Sequence, residues 1–331
     1  MPQITAFEHE QDKPTYHIEQ HQYSGIDSLD FIGGSEHIFY VEYGDNTTVS
    51  LKIIRVADNS VVDSLDFHDE FRIDVDEFLI HRENDALVIF VMNGSGYYHV
   101  KLDSNFRILS SEYISRSLVY SCLTVDNATL YYLTRSFSES GKLDYKVVAT
   151  GLRGENPRTI FEQECDLIDD IYAQKEILFI LDVDRLIIID TKNSNSIFIE
   201  INHNEAYPVV VDDLYSAEFD CFIMFFKDTE EYKCLVLKRD LNYEIFSTEI
   251  SSEETDFKMC TSKLLAIDES IYVIENIDFN LKTLQFTNVL LEQSEDAYSA
   301  MNAACGNRIL SVEYNDDMSV FDGVLSMFFK N

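Results

Sequence analysis

The sequence predicts an all-β fold built from seven like units, each a four-stranded antiparallel sheet. Three observations carry this reading. Short, mostly apolar runs of five to seven residues recur along the 331-residue chain, each bounded by polar turn residues. The runs fall into groups of four. One group also returns in its letters: "IDDIYAQ" at 168–174 matches "VDDLYSA" at 211–217, about 43 residues on.

The elements follow in order. "TYHIEQHQ" at 15–22 reads as a strand without a unit of its own. The first unit starts near residue 25. Its core, "HIFYVEYGDNTTVSLKIIR" at 37–55, is two apolar runs around a polar turn, and the more exposed "VVDSLDF" follows. The second unit, from near 74, reads "DEFLIHR", "ALVIFVMNG", "GYYHVKLD" and "RILSSEYI". The third, from near 117, has "LVYSCLTV", "ATLYYLTRS", "LDYKVVAT" and "RTIFEQE"; the fourth, from near 166, has "DDIYAQ", "KEILFILDVD", "RLIIIDTK" and "SIFIEIN". The fifth, from near 209, has "DDLYSAE", "CFIMFFKD", "YKCLVLKR" and "EIFSTEI". In the sixth, from near 258, "DESIYVIENID" is expected as second strand and "LKTLQFTN" as third. The seventh, from near 298, stops after three strands.

Four short strands at this period specify a β-propeller, whose sheets pack face to face around a channel. Packing on both faces explains why the inner runs are continuously apolar instead of alternating. Seven blades are expected, with Thr15–Gln20 supplying the outer strand that the last blade lacks and so removing an exposed edge. The count falls to six if 25–65 is not a full blade. The whole of 1–331 is expected to be one domain, with 1–24 as the segment that closes it.

One stretch is more specific. "LYYLTRSFSESGKLDYKVVATGLRGENPRTIF" at 130–161 resembles the repeat of TolB-like propellers: an aromatic strand, a strand ending in a glycine-containing turn, then an arginine-led strand. Gly154, Pro157 and Arg158 carry the likeness. It covers one unit and implies architecture, with no functional residue carried over. The Gly-His and Trp-Asp dipeptides of WD40 repeats are missing, and the chain has no Trp.

The charge is the strongest compositional signal. With 60 acidic and 25 basic residues, the formal net charge is −35. That disfavours nucleic-acid phosphate and anionic membranes as direct partners, and it favours encounter with a basic partner. The N-terminus lacks the basic and apolar regions of a secretory signal, so a cytoplasmic protein is expected, or a nuclear one in a eukaryote. The six cysteines are dispersed, several inside apolar runs, and are expected as buried free thiols.

The acids cluster in the connections expected at one end of the sheets. These are the fourth-to-first connections, 66–77, 162–170, 203–213, 251–257 and 292–298, joined by second-to-third turns such as "GDNTT", "DVDR", "KDTEE", "NIDFN" and "YNDDM". The opposite turns, such as "GLRGENPR", "AQKE", "DTKNS" and "KRDLN", carry more basic residues. The candidate partner-binding residues are therefore Asp66, Asp69, Glu70, Asp76, Glu162, Glu164, Asp169, Asp170, Glu253, Glu254, Asp256, Glu295 and Asp296. The expected partner is a basic protein or basic peptide segment. Each exposed pair is worth only about 0.2–1 kcal/mol, but many together raise the encounter rate. Asp170 and Asp213 also suit side-chain bonds that pin tight turns.

Catalytic patterns are sparse. "HIEQH" at 17–21 places the acid one position late for a zinc helix and reads as a strand. "NGSGYY" at 93–98 lacks the spacing of a nucleophile elbow and reads as a hairpin turn. No P-loop or dinucleotide fingerprint occurs, so no cofactor is expected and no metal site is assigned. The main expectation is a non-enzymatic interaction module, such as a scaffold subunit or a toxin inhibitor. The alternative is a metal-dependent hydrolase or lyase with its site at the channel mouth, where Asp76, Asp170 and Asp213 could enter.

Overall fold

A computed structural model describes residues 16–26, 31–33, 37–43, 49–55, 60–66, 77–83, 86–92, 96–115, 119–137, 141, 143–165, 168–182, 185–200, 214–227, 231–251, 257–261, 264–267, 270–290, 299–305, 308–314 and 321–330, with side chains described between residues 79 and 287.

Every element among these residues is a β-strand, and the strands form seven four-stranded antiparallel sheets. β1 (Tyr16–Ile26) comes first. Sheet one is β2 (Phe31–Gly33), β3 (His37–Tyr43), β4 (Val49–Arg55) and β5 (Ser60–Asp66). Sheet two is β6 (Glu77–Glu83), β7 (Ala86–Met92), β8 (Gly96–Leu102) and β9 (Ile108–Ser115). Sheet three is β10 (Val119–Asp126), β11 (Thr129–Phe137), β12 (Leu143–Gly151) and β13 (Arg158–Cys165). Sheet four is β14 (Ile168–Gln174), β15 (Ile177–Asp182), β16 (Arg185–Asp190) and β17 (Ser196–Glu200). Sheet five is β18 (Tyr215–Ser216), β19 (Cys221–Lys227), β20 (Glu231–Lys238) and β21 (Tyr243–Ser251). Sheet six is β22 (Phe257–Thr261), β23 (Leu264–Ile267), β24 (Ser270–Asp278) and β25 (Thr283–Leu290). The last sheet holds β26 (Ser299–Cys305), β27 (Arg308–Tyr314), β28 (Phe321–Lys330) and, as its fourth strand, β1.

β1 pairs antiparallel with β28, from Tyr16 opposite Lys330 to Ile26 opposite Phe321, and runs past the expected end at Gln20. "HIEQH" lies inside this strand. β26 lies beside both β2 and β22.

Sheet six departs from its expected strand order. "DESIYVIENID" is the third strand there, not the second, because "LLAI" at 264–267 forms a short second strand ahead of it. "NIDFN" consequently belongs to the third-to-fourth turn, at the end opposite to that expected.

The core lies between sheets. Leu178, Ile180, Ile187 and Ile189 of sheet four pack toward Tyr131, Leu133, Tyr145 and Val147 of sheet three. Their alternates Phe179, Leu181, Leu186 and Ile188 pack toward sheet five. Both faces of β15 and β16 are thus buried, as their unbroken apolar sequence requires. Cys122, Cys221 and Cys234 are buried free thiols; burial pushes the Cys221 thiol up to about 12 and holds Cys234 well above the ordinary range.

The turns use left-handed backbone with little glycine. Asn127 and Ala128 (φ 46° and 61°) link β10 to β11, and Lys175 and Glu176 (φ 54° and 67°) link β14 to β15. Two successive positive φ values match the twist of a two-residue hairpin. In the TolB-like stretch, Gly154 has φ 79° and its N–H donates to the Gly151 carbonyl at 2.8 Å.

Candidate interaction face

In a four-stranded antiparallel sheet, the first-to-second and third-to-fourth turns share one end. The second-to-third turn and the chain's entry and exit share the other, here called the entry end. The acidic positions named above are expected at the entry ends.

The structure moves several of them from loops into strands. The connection between sheets three and four is only residues 166–167, so Glu162 and Glu164 ride on the outer strand β13, while Asp169 and Asp170 begin β14. The side chains of Glu162, Glu164 and Asp170 are exposed. Asp170 accepts the N–H of Ile171 at 2.7 Å, beside a bulge in β14, so it pins the local backbone as its residue type suggested. Asp66 is the last residue of β5. Asp69, Glu70, Asp76, Asp213, Glu253, Glu254, Asp256, Glu295 and Asp296 lie outside the described residues.

Two strand-borne charges near this end, Asp144 and Lys146, escaped the loop-based reading. Lys146 of β12 stands opposite Glu162 across the hairpin. Its ammonium donates to Glu162 at 2.7 Å and lies 3.5 Å from Asp144. The Glu162 bond, followed by the charges of Glu162 and Asp144, raises Lys146 above the usual lysine range. Glu162 is therefore partly neutralised within its own sheet, and Glu164 stands opposite Asp144 in the same register. In sheet five Glu231 accepts from Lys233 and from the Ser247 hydroxyl, and these bonds hold it below the ordinary carboxylate range. At the β15–β16 turn Arg185 donates to Asp182 at 2.8 Å. The alternation in "LDYKVVAT" is the signal that could have located Lys146 and Asp144.

The opposite ends of sheets three, four and five meet. Asp126, the last residue of β10, accepts the N–H of Lys175 at 3.0 Å and of Glu176 at 2.6 Å. Arg239 of sheet five donates to the Lys175 carbonyl at 3.4 Å. Glu176 lies 3.7 Å from both Lys192 and Arg239. Two cations from two neighbouring turns therefore flank one carboxylate. Asp190 is pushed up by burial, but hydrogen bonds from Asn193 and Lys192 outweigh this and leave it below the ordinary range. Asp240 is lowered mainly by the Asn242 N–H.

Among the described residues, no group of three or more His, Cys, Asp or Glu could hold a metal ion. Among the same residues, no helix is long and apolar enough to cross a membrane.

No protein-family profile matches the chain, and no curated protein matches its sequence. Solved structures do match its shape. Oligogalacturonate lyase from Vibrio parahaemolyticus superposes with a TM-score of 0.56 at 9% identity, over 95% of this chain and 98% of that one. A chain of the mitotic checkpoint complex gives 0.57 at 11%, over 100% and 97%. Virginiamycin B lyase from Staphylococcus aureus gives 0.52 at 8%, over 93% and 99%. The chain has a β-propeller fold. At such identities the likeness extends to the fold and no further. The propeller neighbours include lyases as well as a component of a protein assembly, so fold alone does not choose between the two function classes.

Proposed function

We propose that this propeller is a protein-interaction module, a single seven-bladed ring whose entry end docks a basic protein or basic peptide segment. The pairing of β1 with β28, and the position of β26 beside β2, support a ring closed by the N-terminal strand. The observation that carries the functional reading is the contrast between the two ends of sheets three to five. Exposed Glu164 and Asp170 stand at the entry end, whereas at the other end Lys175, Lys192 and Arg239 gather beside Glu176 and Asp190 and offset their charge. Closing the ring would add the remaining acids, Asp66, Asp69, Glu70, Asp76, Glu253, Glu254, Asp256, Glu295 and Asp296, to the same side. A cytoplasmic scaffold subunit, or an inhibitor that covers the cationic cleft of a toxin, would use such a surface. The channel-mouth hydrolase or lyase would instead need polar groups converging in a pocket.

The test is charge reversal at one end against the other. A fluorescent nona-arginine peptide serves as probe at about 50 mM and about 300 mM salt. Glu164→Lys with Asp170→Lys is expected to weaken binding about three- to tenfold at low salt and less at high salt. Glu155→Lys with Asp240→Lys, on the opposite end, is the control with the same change in net charge. Equal losses from both pairs would show that the charge acts only in bulk and would overturn the proposal.

A further inference from the structure

Sheets three and four part at their outer rim, where a cleft of about 260 Å³ opens. Ile160 and Phe161 of β13 form one wall; Ile187 and Ile189 of β16, with Phe198 of β17, form the other. The cleft sits at the end where β13 and β17 both begin, beside the turn that carries Asp190 and Ser194. Ile187 and Ile189 are buried, but Phe198 stands 55% exposed, with the Arg185 guanidinium 5.8 Å from its ring centre. Arg185 is itself held by Asp182, so it braces the ring and is not available to a ligand.

The polar rim is unbalanced. Asp190 is its carboxylate, and both oxygens are occupied by the Lys192 and Asn193 N–H groups and the Asn193 amide. Arg158 also lines the cleft and is exposed. Among the described residues no carboxylate lies within ion-pair distance of Arg158, whereas Lys146, Arg185, Lys192 and Arg239 each have one. An exposed guanidinium at the mouth of an apolar recess suits a carboxylate borne on an apolar body, because the planar fork binds both oxygens. The volume sits below the usual range of about 300–1,000 Å³ for drug-sized ligands, which points to a compact acid.

We infer that the cleft binds a small monocarboxylate with an aromatic or branched apolar body, its carboxylate on Arg158 and its body against Phe161 and Phe198.

The absence of Trp supplies a reporter, since Phe198→Trp would place the chain's sole indole at the cleft. With 3-phenylpropionate as probe, a saturable change in its emission is expected. Arg158→Ala should raise the apparent Kd about tenfold or more, in line with loss of a charge-assisted bidentate contact. Arg153→Ala, an exposed arginine of the same turn, should leave it unchanged. The uncharged 3-phenylpropanol should bind correspondingly weakly. Saturation-transfer NMR on the unsubstituted chain repeats the measurement without the reporter. Absence of saturable binding, equal binding of acid and alcohol, or indifference to Arg158→Ala would each overturn the inference. So would equal binding of N-acetyl-phenylalanine amide, which would reassign the cleft to a side chain of a passing peptide.

Discussion

The junction between sheets three and four differs from that between sheets four and five. The first is lined by aliphatic side chains with two tyrosines, and side chains bonded to backbone cross it. Thr124 accepts the Ala173 N–H at 3.0 Å, and Asp126 accepts two more. The second is an aromatic chain: Phe179 meets Phe222 at 5.4 Å, and Phe222 meets Tyr215 at 5.2 Å, both edge to face. Across it runs a side-chain bond from the Tyr215 N–H to Gln174 at 2.8 Å. Interdigitated rings have a preferred geometry and fix the register of facing sheets by shape. Isoleucine layers are far less directional, so hydrogen bonds set the register at the first junction. The same junction is the one that leaves a cleft at its rim.

The largest expected effect is at the aromatic junction. Phe222 is 1% exposed and contacts rings on two strands. Phe222→Ala should cost about 3–5 kcal/mol, read as a fall in the denaturant midpoint. At the aliphatic junction, Ile187→Val should cost about 0.5–1.5 kcal/mol. Asp126→Ala comes next, at about 1–3 kcal/mol, because it strips the acceptor from two N–H groups on a neighbouring sheet. Hydrogen exchange should quicken at Lys175 and Glu176 in that variant. If it quickened only within β10, Asp126 would be a local cap and not a stitch between sheets.

Most of this architecture was legible in the sequence because strands buried on both faces are apolar throughout, and polar residues mark where each one ends. Sheet six was misread for the same reason. "LLAI" has only four residues, and the longer "SIYVIENID" behind it drew the assignment one strand late. Asp126 reads locally as a turn residue, yet its partners lie 49 and 50 positions on. No periodicity within one unit could reveal a bond made to the next. Glu162 was legible as an exposed acid, but its neutralisation by Lys146 depends on the register of β12 against β13. Nor could the cleft be read, since its two walls come from different sheets, β13 on one side and β16 with β17 on the other.

The smallest expected effect concerns the turns on either side of the hydrogen-bonded junction. Ala128, exposed between β10 and β11, has φ 61°. A left-handed conformation costs an L-residue about 1–2 kcal/mol, a cost glycine does not carry. Glycine loses more backbone entropy on folding, which offsets about half of that gain. Ala128→Gly should therefore stabilise the protein by about 0.5–1 kcal/mol. Ala149→Gly, in the buried strand β12, should do the reverse, since it removes a packed methyl from a strand interior. Glu176 has the same left-handed backbone, at φ 67°, but two cations lie 3.7 Å from its carboxylate. Glu176→Gly should therefore gain less than Ala128→Gly, and the difference should shrink as salt screens those pairs. A difference that persisted at about 1 M salt would assign the gap to backbone geometry and not to charge.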